Sequence, residues 1–238
     1  MILLPRVPGP GGVAARLVSA LEGRGRTCEV AAPGPLPPGD LLLCPSPGEP
    51  ACEAGKWLAA HPPAAATRLL VVTRLGTHPD ARSLALREAW ALEEAARATG
   101  LPALVFRSGP LLGPSSPLWL RLRAGPGPGR DGTRLLNPVA EEDLVETLLL
   151  ALDGRASWEG WYEVAGPEVW SLAELVTLAR ETGPRLRAGS GAWEPPLEEM
   201  RDHRLAESAP WLEHFGLHAR PLAGRAKTWA VAPAGSAT

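Results

Sequence analysis

The 238 residues carry 24 basic and 26 acidic side chains, a net charge of −2, with 45% apolar and 21% charged residues. These values suit a folded globular chain, and nothing in the charge balance points to nucleic acid or an anionic membrane. No apolar run reaches membrane-spanning length and the N-terminus lacks a signal-peptide pattern. The three scattered cysteines (Cys28, Cys44, Cys52) make neither a disulfide framework nor a C-x-x-C pair, so cytoplasmic residence is expected.

The first thirty-two residues read as strand, glycine-rich turn, helix, strand. Ile2 to Leu4 is a short apolar run, and Pro8 to Gly12 (PGPGG) is a turn. Val13, Leu17, Val18 and Leu21 recur at helical spacing until Gly23 and Gly25 stop the helix. Cys28 to Ala32 is a second apolar run. Such a unit opens a dinucleotide-binding sheet, where glycines let the backbone approach a pyrophosphate and the first N–H groups of the helix face the anion. Gly9, Gly11, Gly12 and Val13 are the candidate contacts. Pro8 and Pro10 remove donors from the turn and stiffen it. The bland alternative is a strand-to-helix turn that holds no nucleotide.

Further along, Pro33 to Gly39 is a stiff loop and Asp40 to Cys44 (DLLLC) a buried strand ending at Pro45. Ala51 to Ala60 makes a short helix with Trp57 and Leu58. Arg68 to Thr73 (RLLVVT) is the strongest strand signal. A long helix follows at Ser83 to Thr99, with Leu84, Trp90, Leu92 and Ala95 among its candidate core positions and Gly100 as C-cap. Pro102 to Phe106 (PALVF) is another buried strand. Strands alternating with helices imply a parallel sheet covered on both faces, with its ligand beyond the carboxyl ends of the strands. Pro8 to Gly12, Pro45 to Gly48, Thr73 to Thr77 and Arg107 to Pro110 then surround one crevice.

Gly125 to Gly132 (GPGPGRDG) is a low-complexity loop. Asn137 to Asp153 holds an amphipathic helix opened by Glu141, Glu142 and Asp143, with Leu144, Leu148 and Leu152 on one face. Trp161 to Ala165 (WYEVA) is a strand, and Ser171 with Glu174 forms a capping box for the next helix. The rest is less regular, with helices expected near Leu197 to Leu205 and Pro210 to Phe215 and a frayed tail after Ala232.

Several blocks resemble one family. ALEEAARATGLPALVFRSGPLLGP (91–114), NPVAEEDLVETLLLAL, GWYEVAGPEVWSLAELVTLA and WLEHFGLHARPLAGRAKTW follow, in order, blocks of the extended and atypical short-chain dehydrogenase/reductases, the NAD-dependent epimerase/dehydratase type. The turn resembles their G-x-x-G-x-x-G, with Pro8, Gly11 and Ala14 at the three glycine positions. The resemblance implies an α/β fold: a Rossmann-like doubly wound parallel sheet, shortened, with a small C-terminal lobe. Residues 1–155 would form the dinucleotide-binding domain (core 1–114). Residues 156–238 would partly complete the sheet and partly form a substrate lobe. The chain is short for the family, and the strand and helix that usually lie before DLLLC are missing. A nucleotide sugar is the implied small-molecule ligand, and a homodimer through the helix at Ser83 to Thr99 is expected from the resemblance.

The family's reaction uses a tyrosine base in Y-x-x-x-K, a spacing that puts both groups on one helix face. Here the only tyrosine, Tyr162, is followed by Gly166, and the only lysines are Lys56 and Lys227. The expected positions fall near Ala85 and Ala89. The standard Tyr–Lys mechanism is therefore excluded. Thr73 and His78 are candidates for a substitute acid or base among the crevice residues Thr73, Arg74, Thr77 and His78. Arg107 either meets a phosphate or carboxylate or pairs with an acidic neighbour. Pro45 completes the candidate cofactor contacts. No acid stands at Ala32 or Pro33, where an NAD enzyme holds its ribose, while Arg6, Arg24 and Arg26 favour NADP over NAD. His203, His214 and His218 fit no closed metal site. Six of nine tryptophans lie in the C-terminal third and read as core more readily than as a pocket. Two functions follow: an NAD(P)-binding protein of the epimerase/dehydratase/reductase type with atypical or lost catalysis, or a non-enzymatic regulatory or scaffold protein on the same fold.

Overall fold

A computed structural model describes residues 1–8, 12–32, 34–45, 51–64, 67–114, 116–124, 132–182, 204–218 and 220–231. Its centre is a six-stranded parallel sheet of β1 (Ile2–Leu4), β2 (Cys28–Val30), β3 (Asp40–Leu43), β4 (Arg68–Arg74), β5 (Ala103–Ser108) and β9 (Trp161–Val164), in the order β2-β1-β3-β4-β5-β9. The winding reverses between β1 and β3, which puts the switch point at their carboxyl ends.

Alternation along each strand assigns its side chains to two faces. Ile2, Leu4, Leu42, Leu70, Val72, Leu104 and Phe106 point to one face. There they meet Val13, Leu17 and Leu21 of α1 (Gly12–Gly23), Leu144 and Leu148 of α5 (Glu141–Leu150), and Trp211 and Phe215 of α7 (Ala209–Phe215). Leu3, Leu41, Leu43, Leu69, Val71 and Val105 point to the other. They meet Ala54 and Leu58 of α2 (Ala51–Ala60) and Leu92 and Ala96 of α3 (Leu84–Ala98). Full burial of each such leucine or valine contributes about 1.5–3 kcal/mol, which is why β4 and β5 read as unbroken apolar runs.

The predicted helix at 83–99 forms one residue shorter at each end; of its expected core positions Leu92 is buried and Ala95 packs against the core, and the stripe is otherwise turned from the expected one. Leu84 is 56% exposed and Trp90 and Ala95 are half-buried, while Leu86, Ala89, Leu92, Glu93 and Ala96 face the sheet. The 3.6-residue period allows either stripe; packing on β4 and β5 selects this one. Between β2 and β3 the chain crosses over β1 through residues 31–39, whose described part holds no strand or helix beyond the bridge Leu36–Pro63. Strands of three and four residues make so short a parallel crossover possible.

A third apolar cluster gathers α4 (Pro117–Ala124), α6 (Leu172–Glu181) and α8 (Leu222–Val231). Two ribbons of two-residue strands accompany it: β6 (Leu111–Leu112) with β8 (Val139–Ala140), and β7 (Leu135–Leu136) with β10 (Trp170–Ser171). The Ser171–Glu174 capping box forms as predicted. A π-helical turn, Ala151–Arg155, extends α5, with Gly154 at φ 93°. The helix expected near Leu197 to Leu205 lies mostly outside the described residues; Arg204 makes a bridge to Leu136.

Asn137 pins the lobe to the sheet. Its Nδ2 donates to the carbonyls of Gly166 (3.1 Å) and Glu168 (3.3 Å), and its Oδ1 accepts the Ala206 N–H (3.2 Å). The strand ends press closely here: a Cβ on Gly166 would collide with the Pro138 carbonyl oxygen, and one on Gly109 with that of Asn137. Gly166→Ala is therefore expected to destabilise the protein by about 1–3 kcal/mol. Gly224→Ala, on open helix surface, is expected to be neutral or mildly stabilising. Urea denaturation of both variants measures the difference.

Candidate functional site

The carboxyl ends of β1, β3, β4 and β5 bring the described parts of the four predicted segments to one edge of the sheet, residues 9–11 and 46–48 lying outside the described residues. Gly12 opens α1 at φ 78°, with nothing within 4 Å of the Cβ it lacks. Val13 behind it is 5% exposed and anchors the helix in the core. No acidic residue stands in the first turn of α1, so its N-terminal N–H groups keep their attraction for an anion. Gly9 and Gly11 lie outside the described residues. Pro45 is half-buried just past β3.

Thr73 and Arg107 are brought together, but not towards a ligand. The β4–β5 register sets them side by side, with both side chains on the α3 face. Between them stands Glu93 of α3, 0% exposed. Its Oε1 accepts from the Thr73 hydroxyl (2.8 Å) and Arg107 Nε (3.0 Å). Its Oε2 accepts from Arg107 Nη2 (2.6 Å) and Arg97 Nη2 (3.0 Å). Four donors satisfy the two oxygens. The Arg107 guanidinium also lies over the rings of Trp161 (4.7 Å) and Trp90 (5.8 Å). Of the two roles open to Arg107 from sequence, the acidic partner is the one formed here. Glu93 itself escaped the sequence reading; its signal was position, four residues after Ala89 in the buried stripe.

Glu93→Ala would leave Arg107 buried beside an empty site and is expected to cost about 3–5 kcal/mol. The paired replacement Glu93→Leu with Arg107→Met removes both charges together and is expected to recover most of that loss. Urea denaturation of the two variants separates a stranded charge from lost packing.

His78 stands in the loop after β4 with its side chain 63% exposed, accepting the Asp80 N–H on Nδ1 (3.1 Å). Its ring lies 6.1 Å from that of Trp90. Thr77 donates to the Arg74 carbonyl (2.6 Å). Tyr162 is on the edge strand β9, its hydroxyl 2.9 Å from His214 Nε2 and its ring stacked on Phe106. Lys56 is on α2, paired with Glu53, and Lys227 is on α8. Arg24 and Arg26 precede β2 at the amino ends of the strands, opposite the crevice. Arg24 pairs with Asp153 (3.0 Å), and Arg26 with Asp153 (3.4 Å) and Asp40 (3.6 Å). Strand direction thus takes two of the three arginines away from a cofactor's 2′-phosphate. Among the described residues no cluster of His, Cys, Asp or Glu could hold a metal ion. No helix of the described residues is long and apolar enough to cross a membrane.

A second buried carboxyl lies on the other face. Glu141, predicted only as a favourable opener of α5, is 2% exposed. It accepts from Arg16 Nε of α1 at 3.1 Å. Gly113 makes its place, since a Cβ there would collide with the carboxylate. Burial pushes the Glu141 pKa above its ordinary 4.5, with Arg16 opposing and Glu142 adding to the rise. A carboxyl whose folded pKa is raised contributes stability below its unfolded pKa and loses it as pH rises through the folded one. Glu141→Gln is therefore expected to raise the melting temperature near neutral pH, the gain shrinking as pH falls towards about 4.5. Thermal unfolding across pH checks it.

In sequence the chain matches no family model and no curated protein. In structure it is similar to MoeE5, solved in complex with UDP-glucose and NAD, with a TM-score of 0.67 and 18% identity over 96% of this chain and 97% of that one. It is also similar to TunA, an NAD-dependent NDP-hexosamine 5,6-dehydratase of tunicamycin biosynthesis, with a TM-score of 0.69 and 15% identity over 96% and 95%. The UDP-glucose 4-epimerase of Thermotoga maritima aligns with a TM-score of 0.60 and 15% identity over 96% and 97%. The chain therefore has the Rossmann-like α/β fold of the NAD-dependent epimerases and dehydratases, at a sequence distance where fold is what the likeness shows.

Proposed function

We propose that this protein binds NAD or NADP at the carboxyl edge of its sheet, as a divergent relative of the extended short-chain dehydrogenase/reductases. The observation that carries this reading is the opening of α1. Gly12, itself buried, adopts positive φ with nothing within 4 Å of the Cβ it lacks, after β1 at the switch point of the sheet, in a chain that aligns over 96% of its length with MoeE5, solved with NAD. Those features suit a pyrophosphate, whose charge the helix N-terminus would meet. Gly9, Gly11, Gly12 and Val13 would hold the phosphates, with Pro45 along the crevice wall. When bound, the dinucleotide would supply hydride chemistry. A nucleotide sugar is the proposed ligand beside it.

Any catalysis proceeds without a Tyr–Lys pair, because the single tyrosine lies on β9 and the two lysines on α2 and α8. Thr73 is committed to Glu93, which leaves the exposed imidazole of His78 as the proposed proton-exchanging group near the crevice. The commitment of Thr73 and Arg107 to Glu93 favours a second reading, a regulatory or scaffold protein that holds the nucleotide without turning it over.

Titration with NADH and NADPH, read as energy transfer from tryptophan to nicotinamide, is expected to give saturable binding in roughly the micromolar range. Gly12→Asp keeps a residue tolerant of positive φ but sets a carboxylate against the pyrophosphate, and is expected to weaken binding at least about tenfold. No binding of either cofactor by the unaltered protein overturns the reading. Turnover with a nucleotide sugar separates the enzyme from the scaffold.

A further inference from the structure

The pair of half-buried Arg16 and buried Glu141 lies one helical turn from the end of α1 assigned to the pyrophosphate. Arg16 is four residues beyond Gly12, about 6 Å along the axis at the helical rise. Glu141 reaches it from the first residue of α5, across the α1–α5 contact. Its carboxylate is 3% exposed and is closed off on the third side by Gly113, where no side chain intervenes. Among the described residues the charged groups acting on it are Arg16 from α1 and Glu142 from its own helix. Arg16 donates to it through Nε at 3.1 Å.

We propose that binding of a dinucleotide at the α1 turn is coupled to uptake of a proton by Glu141. This rests on the proposed cofactor reading and adds a regulation of that site. The physical argument is one of charge. Water screens Glu141 poorly, so an incoming pyrophosphate raises the free energy of its ionised form. Arg16 already pairs with this carboxylate and so offers no free charge to the incoming anion. Taking a proton from solvent onto a Glu141 carboxylate oxygen removes the like charge without moving either helix. By linkage, a group that binds protons more tightly in the complex makes affinity fall as pH rises between its free and bound pKa values. The slope reaches at most about tenfold per pH unit for one proton.

The test is calorimetric titration of the full chain with whichever of NADH or NADPH binds. Two buffers of different protonation enthalpy are used at one pH, and the measurement is repeated from about pH 5.5 to about pH 8.5. The unaltered protein is expected to show a buffer-dependent heat and an affinity that weakens with pH. Glu141→Gln is expected to lose both relative to it, a comparison in which any ionisation of the ligand's own phosphate cancels. Glu141→Asp, which keeps a carboxyl, is expected to retain them. Binding with the same pH profile and the same proton count in the unaltered protein and in Glu141→Gln overturns the inference while leaving the cofactor reading intact. Absence of binding by the unaltered protein overturns both. Should Glu141→Gln fail to fold, the buffer dependence of the unaltered protein and of Glu141→Asp still decides: no proton uptake in either overturns the inference.

Discussion

The interaction on which the centre of this molecule depends is the clamp of Glu93. A carboxylate with no exposure joins α3 to β4 and β5 through Thr73 and Arg107, and Arg97 completes its donors. A buried ion pair gives little net stability over an apolar replacement, because desolvation offsets most of the attraction. What it does is fix geometry. The parallel register places Thr73 against Arg107, and only one rotation of α3 carries Glu93 between them. That rotation turns Leu84 to solvent and Ala89 inward. The same helix is the one on which a Tyr–Lys pair would have stood.

The crevice therefore has an unusual division of labour. Its β1–α1 side carries a buried glycine at positive φ and a first helical turn free of acidic residues. Its β4–β5 side has spent its hydroxyl and guanidinium on an internal carboxylate. That asymmetry underlies both the proposed cofactor reading and the proposed scaffold reading. Beyond the sheet, close backbone contact and side-chain chemistry together hold the C-terminal elements. Gly109 and Gly166 let the chain segments at Asn137 and Pro138 come close, and the Asn137 amide ties three stretches together. Arg225, paired with Glu142 and Asp143, and Trp229 Nε1, donating to Glu142, then dock α8 on α5. Most of the described C-terminal tryptophans serve as core: Trp229 is buried in the lobe cluster with Trp170 against it, Trp211 is buried in the sheet's core with Trp158 against it, and Trp161 stands 54% exposed.

The sequence by itself determined the main sheet and its covering helices, because their signals are local. Short apolar runs bounded by glycine and proline gave β1, β3, β4 and β5. Helical spacing gave α1, α2, α3, α5 and α6, and a Ser–Glu pair gave a cap, each within a residue or two of where it forms. It also settled the lack of a Tyr-x-x-x-Lys pair, a matter of counting two lysines and one tyrosine. Only the tertiary structure decided the rest. Ribbons of two residues, such as β6 with β8, are too short to have a period. Helices α4 and α8 are amphipathic only with respect to a lobe that assembles from distant segments. Which arginines face the crevice depended on strand direction, which sent Arg24 and Arg26 to the opposite end. The roles of Thr73, Arg107 and Glu141 depended on partners 14 to 125 residues away. A carboxylate on an amphipathic helix looks alike in sequence whether it meets water or a buried arginine; burial and the partner are properties of the folded chain.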